Sequence, residues 1–154
     1  MVRVTRSPNA LAVSAYVIVE EHEWLVSLLR DSANASPQFR MPDLIGACLS
    51  LVFEAQDPSS KIFEVLRSDL VLRGTSQRRQ EQIWRADFER LQEIQRSAHN
   101  QYPHPNFSLD LILSACIAIT RKSETAPGQL FQLARTNTAQ RARSASDWQG
   151  GYGA

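Results

Sequence analysis

Cysteine is scarce in this 154-residue sequence, and long apolar runs are missing from it. Two cysteines, Cys48 and Cys116, are too few for a disulfide framework or a zinc site. No apolar run approaches the ~18 residues that a membrane-spanning helix needs. Residues 1–12 contain Arg3 and Arg6 but not the apolar stretch of a secretory signal. The expected compartment is therefore a reducing cytosol, with no membrane contact.

Signatures of catalysis are also missing. Neither a Gly-x-Ser-x-Gly turn nor a Walker A loop occurs. The three histidines, His22, His99 and His104, lack the spacing of metal ligands. Cys48 and Cys116 are expected to be small buried core residues. We therefore expect a protein that is not an enzyme and that uses no cofactor or metal.

The sequence contains an internal repeat. Ser36–Arg67 aligns without gaps with His104–Arg135. Six pairs are identical: Pro37 with Pro105, Phe39 with Phe107, Ala47 with Ala115, Cys48 with Cys116, Phe63 with Phe131, and Arg67 with Arg135. Two unrelated amphipathic helices could share such spacing. The gapless register and the paired Pro-x-Phe favour a duplication instead.

Each copy has the pattern of a strand followed by helices. The β-branched run Val13–Val19 predicts a first strand, and Leu70–Arg73, closed by Gly74, predicts a second. Periodic apolar residues predict three helices in each copy. In the first copy these are Glu20–Asp31, Met41–Ala55 and Lys61–Arg67; in the second they are Gln80–Ser97, Leu109–Lys122 and Gln129–Arg143.

The expected fold is mainly α with a two-stranded antiparallel ribbon, because each short strand needs a partner for its backbone groups. This arrangement resembles the ribbon-helix-helix family of DNA-binding proteins, whose members are normally homodimers. The resemblance implies a pseudo-dimeric single-chain ribbon-helix-helix domain over residues 13–143. Its repeats would be 13–67 and 68–143, between a flexible arm at 1–12 and a disordered tail at 144–154.

In that family the ribbon enters the major groove of DNA, which is wide enough to admit two strands. Alternation along the strands then predicts the outward side chains. In the second strand these are Val71, Arg73 and Thr75; in the first they are Ser14, Tyr16 and Ile18. Arg73 is the main candidate, because its guanidinium can bond guanine or phosphate. The alternatives are a core position for Tyr16 and a solvated strand end for Arg73.

The formal net charge is only +1, so any footprint for nucleic acid has to be local. Arg78 and Arg79 would form a basic patch with Arg73. The starts of the second helices, whose free N–H groups favour anions, add Arg40 in one copy and Asn106 and Ser108 in the other. Ordinary helix capping is the alternative role for these last residues.

Four segments carry a more specific resemblance: Val17–Trp24, Gln38–Leu44, Leu72–Gly74 and Pro105–Asp110. They resemble the family of the second protein of the virC operon, which serves T-DNA transfer, a virulence function of tumour-inducing and related bacterial plasmids. The resemblance implies binding of double-stranded DNA at the border repeat or its enhancer. It also implies assistance to a border endonuclease and a ParA-like ATPase, by a cytoplasmic monomer acting as a pseudo-dimer. Single-strand binding stays open.

Two other functions stay open on the sequence alone. An apolar outward Ile18, together with Tyr16, would suit a protein-interaction adaptor for a ParA-like ATPase or a relaxase. A plasmid partition or antitoxin-type repressor would share the fold. The divergence of the two copies favours an asymmetric DNA site over the palindromes that homodimers read.

Overall fold

The computed structural model describes residues 12–31, 39–70, 73, 76–97, 100, 107–123 and 128–140. Within these residues the elements are β1 (Ala12–Ile18), α1 (Val19–Leu29), α2 (Met41–Glu54), α3 (Pro58–Val65), β2 (Arg78–Trp84), α4 (Arg85–Gln95), α5 (Leu109–Lys122) and α6 (128–140). A π-helical turn, Leu66–Leu70, extends α3. The protein is therefore mainly helical with a two-stranded antiparallel sheet, as the sequence predicts.

The ribbon pairs β1 with β2 along their whole length, with Ala12 opposite Trp84 and Ile18 opposite Arg78. The prediction of the first strand is confirmed to within one residue. The prediction of the second strand at Leu70–Arg73 is wrong. Leu70 ends the π-helical turn and is fully buried, and Arg73 lies in a turn. The predicted helix Gln80–Ser97 is β2 as far as Trp84 and becomes helical only from Arg85.

The intrinsic preferences of its residues do not explain why β2 is a strand. Its sequence, Arg-Arg-Gln-Glu-Gln-Ile-Trp, is rich in residues that favour helices. Pairing with β1 satisfies its backbone groups, and Ile83 enters the core with none of its surface exposed. Tertiary context therefore outweighs propensity here. Leu70 was predicted in a strand but is helical, because a short apolar run does not distinguish a strand from a buried helix end.

The strand and the first two helices occur twice in the same order and with equal lengths. β1 and β2 have 7 residues each, α1 and α4 have 11, and α2 and α5 have 14. The strand and the first helix recur with one spacing along the chain, which places Ala15 and Glu81 at equivalent positions. These two residues face each other in the ribbon, so the midpoints of the two strands meet. The predicted helix Gln80–Ser97 is longer than the predicted helix Glu20–Asp31 because its first residues belong to β2.

The two halves interlock through aromatic contacts. Phe39, just before α2, packs on Phe131 of α6 with ring centroids 5.3 Å apart. Phe107, just before α5, packs on Phe63 of α3 at 6.2 Å. Each third helix thus contacts the residue that precedes the other half's central helix. This exchange explains why both phenylalanine pairs are identical in the repeat.

The central helices α2 and α5 form the middle of the core. Cys48 and Cys116 are fully buried there, as expected. Burial raises the pKa of the Cys48 thiol to about 12 and raises that of Cys116 as well. The Thr120 hydroxyl on α5 lies 3.0 Å from the carbonyl oxygen of Cys116 and 3.3 Å from that of Cys48 on α2. This buried contact joins the two helices.

The predicted arm and tail lie outside the described residues, except for Ala12, which begins β1. In the described part of the chain, no helix combines the length and the apolar character needed to cross a membrane.

The register of the ribbon can be tested through Ile83 and Val13, which face each other across it. Ile83→Ala should lower the free energy of unfolding by about 2–4 kcal/mol, because it removes a fully buried side chain. Gln82→Ala, at an exposed neighbouring position, should change it by no more than about 0.5 kcal/mol. A double-mutant cycle with Val13→Ala, measured by urea unfolding, should give a coupling of about 0.5–1 kcal/mol. Zero coupling would contradict this register.

Candidate nucleic-acid interface

The middle of the outer face of the ribbon presents four exposed polar side chains. Ser14 and Tyr16 come from β1, and Gln80 and Gln82 come from β2. They alternate with Ala15, Val17 and Ile83, whose side chains are buried against the helices. Tyr16 is 44 % exposed and is the one large hydrophobic residue in the described regions that stands out into solvent. None of these four side chains carries a charge.

Hydrogen bonds organise this face around one hydroxyl. Gln80 Nε2 donates to Ser14 Oγ at 2.9 Å, and Gln82 Nε2 donates to the same oxygen at 3.0 Å. Both bonds cross from β2 to β1 on the solvent side. They hold two amides and a hydroxyl, groups that can bond the edges of bases, on one small exposed surface.

The outer edge of β1 is fastened to the start of α5. The Tyr16 N–H donates to Asp110 Oδ1 at 3.3 Å, and the Ile18 N–H donates to Ser114 Oγ at 3.0 Å. Asp110 and Ser114 are one helical turn apart, and therefore they reach alternate N–H groups of the strand. Asp110 also accepts from Arg78 Nη1 at 3.4 Å. The start of α5 thus lies beside the exposed face of the ribbon.

Arg40 and Ser108 precede α2 and α5, and both are exposed. The Ser108 hydroxyl caps α5 by accepting from Leu111 N at 3.4 Å. In the other half, Asp43 is fully buried and accepts from Arg40 N at 3.1 Å and from the Thr138 hydroxyl at 2.9 Å. Capping is therefore present at both helix starts, while the side chain of Arg40 stays accessible.

Three arginines flank the ribbon on the β2 side. Arg79 and Arg85 are exposed, and Arg78 pairs with Asp110. Arg78 and Arg79 were predicted to follow the second strand and instead form its first two residues. Arg85 begins α4. Exposed cations such as Arg79 and Arg85 are the kind of group that contacts the phosphates of nucleic acids.

Arg73 does not lie on the ribbon, contrary to the prediction. Its guanidinium forms ion pairs with Glu21 at 2.7 Å, Asp69 at 2.8 Å and Glu20 at 3.1 Å. Partial burial disfavours the charged form of Arg73, but hydrogen bonds to Glu21, Asp69 and Glu20 outweigh this effect and raise its pKa. The side chain is committed to joining α1 to the π-helical turn, and so it is not presented to a groove.

The remaining predicted site residues have mixed outcomes. Ser14 and Tyr16 face outward as predicted. Ile18 was predicted to face outward but is fully buried, because the ribbon ends at this residue and α1 begins directly after it. Val71, Thr75 and Asn106 lie outside the described residues.

Sequence reasoning missed Gln80 and Gln82 because it assigned them to a helix. A signal for them was present. When the sequence is laid on itself so that Leu25 aligns with Leu91, Leu28 aligns with Ile94. The same alignment places Val17 and Ile18 on Ile83 and Trp84. Applied to the predicted strand Val13–Val19, this second repeat offset, slightly shorter than that of the central helices, would have placed the second strand at 79–85, one residue from β2.

Other chemistry is sparse. In the described segments, no three His, Cys, Asp or Glu side chains form a group that could hold a metal ion. His22 Nε2 lies 2.8 Å from Glu81 Oε2, a contact between α1 and β2. No family model, curated protein or solved structure matches this chain.

Two buried carboxylates, Glu21 and Asp87, occupy equivalent places in α1 and α4. Glu21 is 1 % exposed and is paired with Arg73 and with Arg121, whose Nη1 lies 3.0 Å away. Asp87 has Arg90 at 3.5 Å. Burial raises the pKa of Asp87 to about 6, and the charge of Arg90 offsets this effect only in part. Gly46 makes room for it, because a Cβ there would lie 3.0 Å from Asp87 Oδ2.

The structural role of Arg73 gives a prediction. Arg73→Ala should lower the free energy of unfolding by about 2 kcal/mol, because it removes the closest partner of the buried Glu21. Arg30→Ala, at the exposed end of α1, is the matched control and should cost no more than about 0.5 kcal/mol. Urea unfolding at pH 7 measures both. Equal midpoints for Arg73→Ala and the wild type would contradict this role.

Asp87 predicts a dependence of stability on pH. Its folded-state pKa of about 6 lies above the ordinary value of 3.8, so the folded protein binds more protons than the unfolded chain between these values. The free energy of unfolding should therefore fall as the pH rises through this window. Asp87→Asn should remove the penalty and be more stable than the wild type by about 1–2 kcal/mol at pH 7.5. Its advantage should shrink towards pH 4.

Asp69 provides a control of opposite sign for that titration. Hydrogen bonding from Arg73, with Lys122 adding, holds the pKa of Asp69 below its ordinary value against a smaller effect of burial. Asp69→Asn should therefore destabilise the protein at pH 7.5, and the difference should disappear as the pH falls below 4. Chemical unfolding at several pH values measures both variants. A pH-independent difference for Asp87→Asn would contradict the raised pKa.

Proposed function

We propose that this protein binds double-stranded DNA by placing the β1–β2 ribbon in the major groove. The observation that carries the proposal is the outer face of the ribbon. It presents an uncharged set of amide and hydroxyl groups, flanked by arginines and backed by helices. A two-stranded ribbon fits the width of the major groove, and these groups can bond base edges there.

A pseudo-dimeric single-chain ribbon-helix-helix domain would account for the architecture. Equal element lengths in the two halves support it, as does the pairing of Ala15 with Glu81 at the middle of both strands. The exchanged contacts of Phe39 with Phe131 and of Phe63 with Phe107 support it further, because they are equivalent across the two halves. In such a domain one chain supplies both strands of the ribbon.

Phosphates on either side of the groove would be held by the exposed Arg40, Arg79 and Arg85. Asp110 should weaken phosphate binding, because its carboxylate lies beside the ribbon and forms an ion pair with Arg78. The positive charge proposed to contact DNA is thus confined to one region and distributed unequally around the ribbon, which fits a chain whose net charge is only +1.

The role in the cell is proposed from the family resemblance. It is assistance to a border endonuclease and a ParA-like ATPase during T-DNA transfer, without catalysis by this chain. The adaptor alternative loses one of its supports, because Ile18 is buried and leaves Tyr16 as the exposed large apolar residue of β1. Footprinting on a border-repeat duplex and on a plasmid promoter separates transfer from a partition or antitoxin-type repressor.

The DNA-binding proposal predicts opposite effects for two charges beside the ribbon. Arg79→Ala should weaken binding of a duplex about three- to tenfold and reduce the slope of log affinity against log salt by about 1, because one phosphate contact is lost. Asp110→Asn should strengthen binding by a similar factor. The asparagine oxygen still accepts from the Tyr16 N–H, while the negative charge beside the ribbon disappears and no longer offsets the charge of Arg78.

Fluorescence titration of a labelled duplex at several salt concentrations measures these effects. Arg30→Ala is the matched control, because it removes an exposed arginine from the far end of α1, about 16 Å along the helix from the ribbon. It should bind like the wild type. Affinity that ignores salt, or equal losses for Arg79→Ala and Arg30→Ala, would contradict the proposal.

A further inference from the structure

We infer that the two halves of the ribbon read different base pairs, with Gln80 and Gln82 recognising adenines in one half-site only. This inference rests on the proposed function and specifies its target. The duplex that fits the chain best would then have two unlike half-sites, one of which contains adenines where the glutamines reach.

β1 and β2 occupy equivalent places in the two halves. Aligning β1 with β2 from their first residues places Ser14 on Gln80 and Tyr16 on Gln82, and the ribbon pairs Ser14 with Gln82 and Tyr16 with Gln80. Each cross-strand pair on the outer face therefore contains one residue from each half. A twofold-related duplex would present the same base edges to Ser14 and Gln80, and again to Tyr16 and Gln82. Because the side chains at these equivalent positions differ, the two half-sites that bind best should contain different base pairs.

The chemistry of the β2 half favours adenine. A glutamine amide can accept from N6 and donate to N7 of adenine at once, whereas a serine or tyrosine hydroxyl cannot form that pair of bonds. In the structure, Gln80 and Gln82 each donate one N–H to Ser14 Oγ. No donor in the described residues bonds their amide oxygens, and rotation of each amide away from Ser14 would free both groups. Their side chains are about 6.8 Å apart along the strand, about two base-pair steps.

The distribution of cations supports the same asymmetry independently. Arg78, Arg79 and Arg85 belong to the β2 half. Their equivalents in the β1 half are Ala12, Val13 and Val19, none of which is charged. The half that carries the glutamines therefore carries the exposed Arg79 and Arg85 on or next to its strand, whereas Arg40, an exposed cation of the β1 half, lies at the start of α2 and not on β1. Cations within the ribbon segment are thus confined to the β2 half.

Selection from a random duplex library by the full chain tests the inference. The expected consensus is not palindromic, and adenines are required in one half. Replacing those adenines with 7-deazaadenine removes N7 without changing base pairing, and this should weaken wild-type binding about tenfold per site. Gln80→Ala and Gln82→Ala should each lose this sensitivity at one position while keeping affinity for unrelated duplexes.

Two symmetrised variants sharpen the test. Gln80→Ser combined with Gln82→Tyr gives both halves the β1 chemistry, and Ser14→Gln combined with Tyr16→Gln gives both the β2 chemistry. Each should select a palindromic consensus, and only the second should contain adenines in both halves. The exchanged positions are exposed, so circular dichroism should show that both variants keep the wild-type fold.

The outcomes distinguish this inference from the function on which it rests. Failure of the wild-type chain to bind any duplex would overturn both. Salt-dependent binding with a palindromic consensus, or with no loss on 7-deazaadenine, would overturn the unequal reading and leave DNA binding in place. An unchanged consensus in both symmetrised variants would also overturn it.

Discussion

Hydrogen bonding between β1 and β2 is the constraint on which the rest of the structure depends. An isolated two-stranded ribbon of this length is marginal in water. Here helices from both halves support it. The side chains of Asp110 and Ser114 on α5 accept the outward N–H groups of Tyr16 and Ile18, which would otherwise be left open at the strand edge. Pairing and helix packing thus stabilise each other, and neither half could bury its strand alone.

The central helices were predictable because their own residues determine them. Leu109–Lys122 is apolar at helical spacing and lies in the core, and the structure has it with the predicted bounds. β2 was not predictable in this way. Only Ile83 in this strand is fully buried, so the strand carries little hydrophobic pattern, and its glutamines and arginines favour a helix locally. Its conformation depends on β1, a partner that lies far away in the sequence.

Equivalent positions in the two halves satisfy buried polar groups in different ways. Ser114 on α5 accepts the N–H of Ile18, and the equivalent position on α2 is Gly46, which has no side chain to offer. The space left at Gly46 is filled by the Asp87 carboxylate. In the first half the matching carboxylate, Glu21, is held by two arginines. One half therefore keeps a neutralised charge in its core, and the other keeps a carboxyl group whose pKa is about 6.

Arg73 was predicted to lie on the ribbon, whereas Gln80 and Gln82, which do lie on it, were predicted to be helical. An arginine at the end of an apolar run is typical of a strand that contacts DNA. In this fold, however, the arginine forms ion pairs with three acidic residues of α1 and the π-helical turn. Gln80 and Gln82 are not held by core packing, because both side chains stand exposed on the outer face of the ribbon. Their residue types can therefore be set by what the ribbon contacts. β2, the strand whose local sequence least predicts its conformation, therefore carries the exposed glutamines on which the DNA-binding proposal rests.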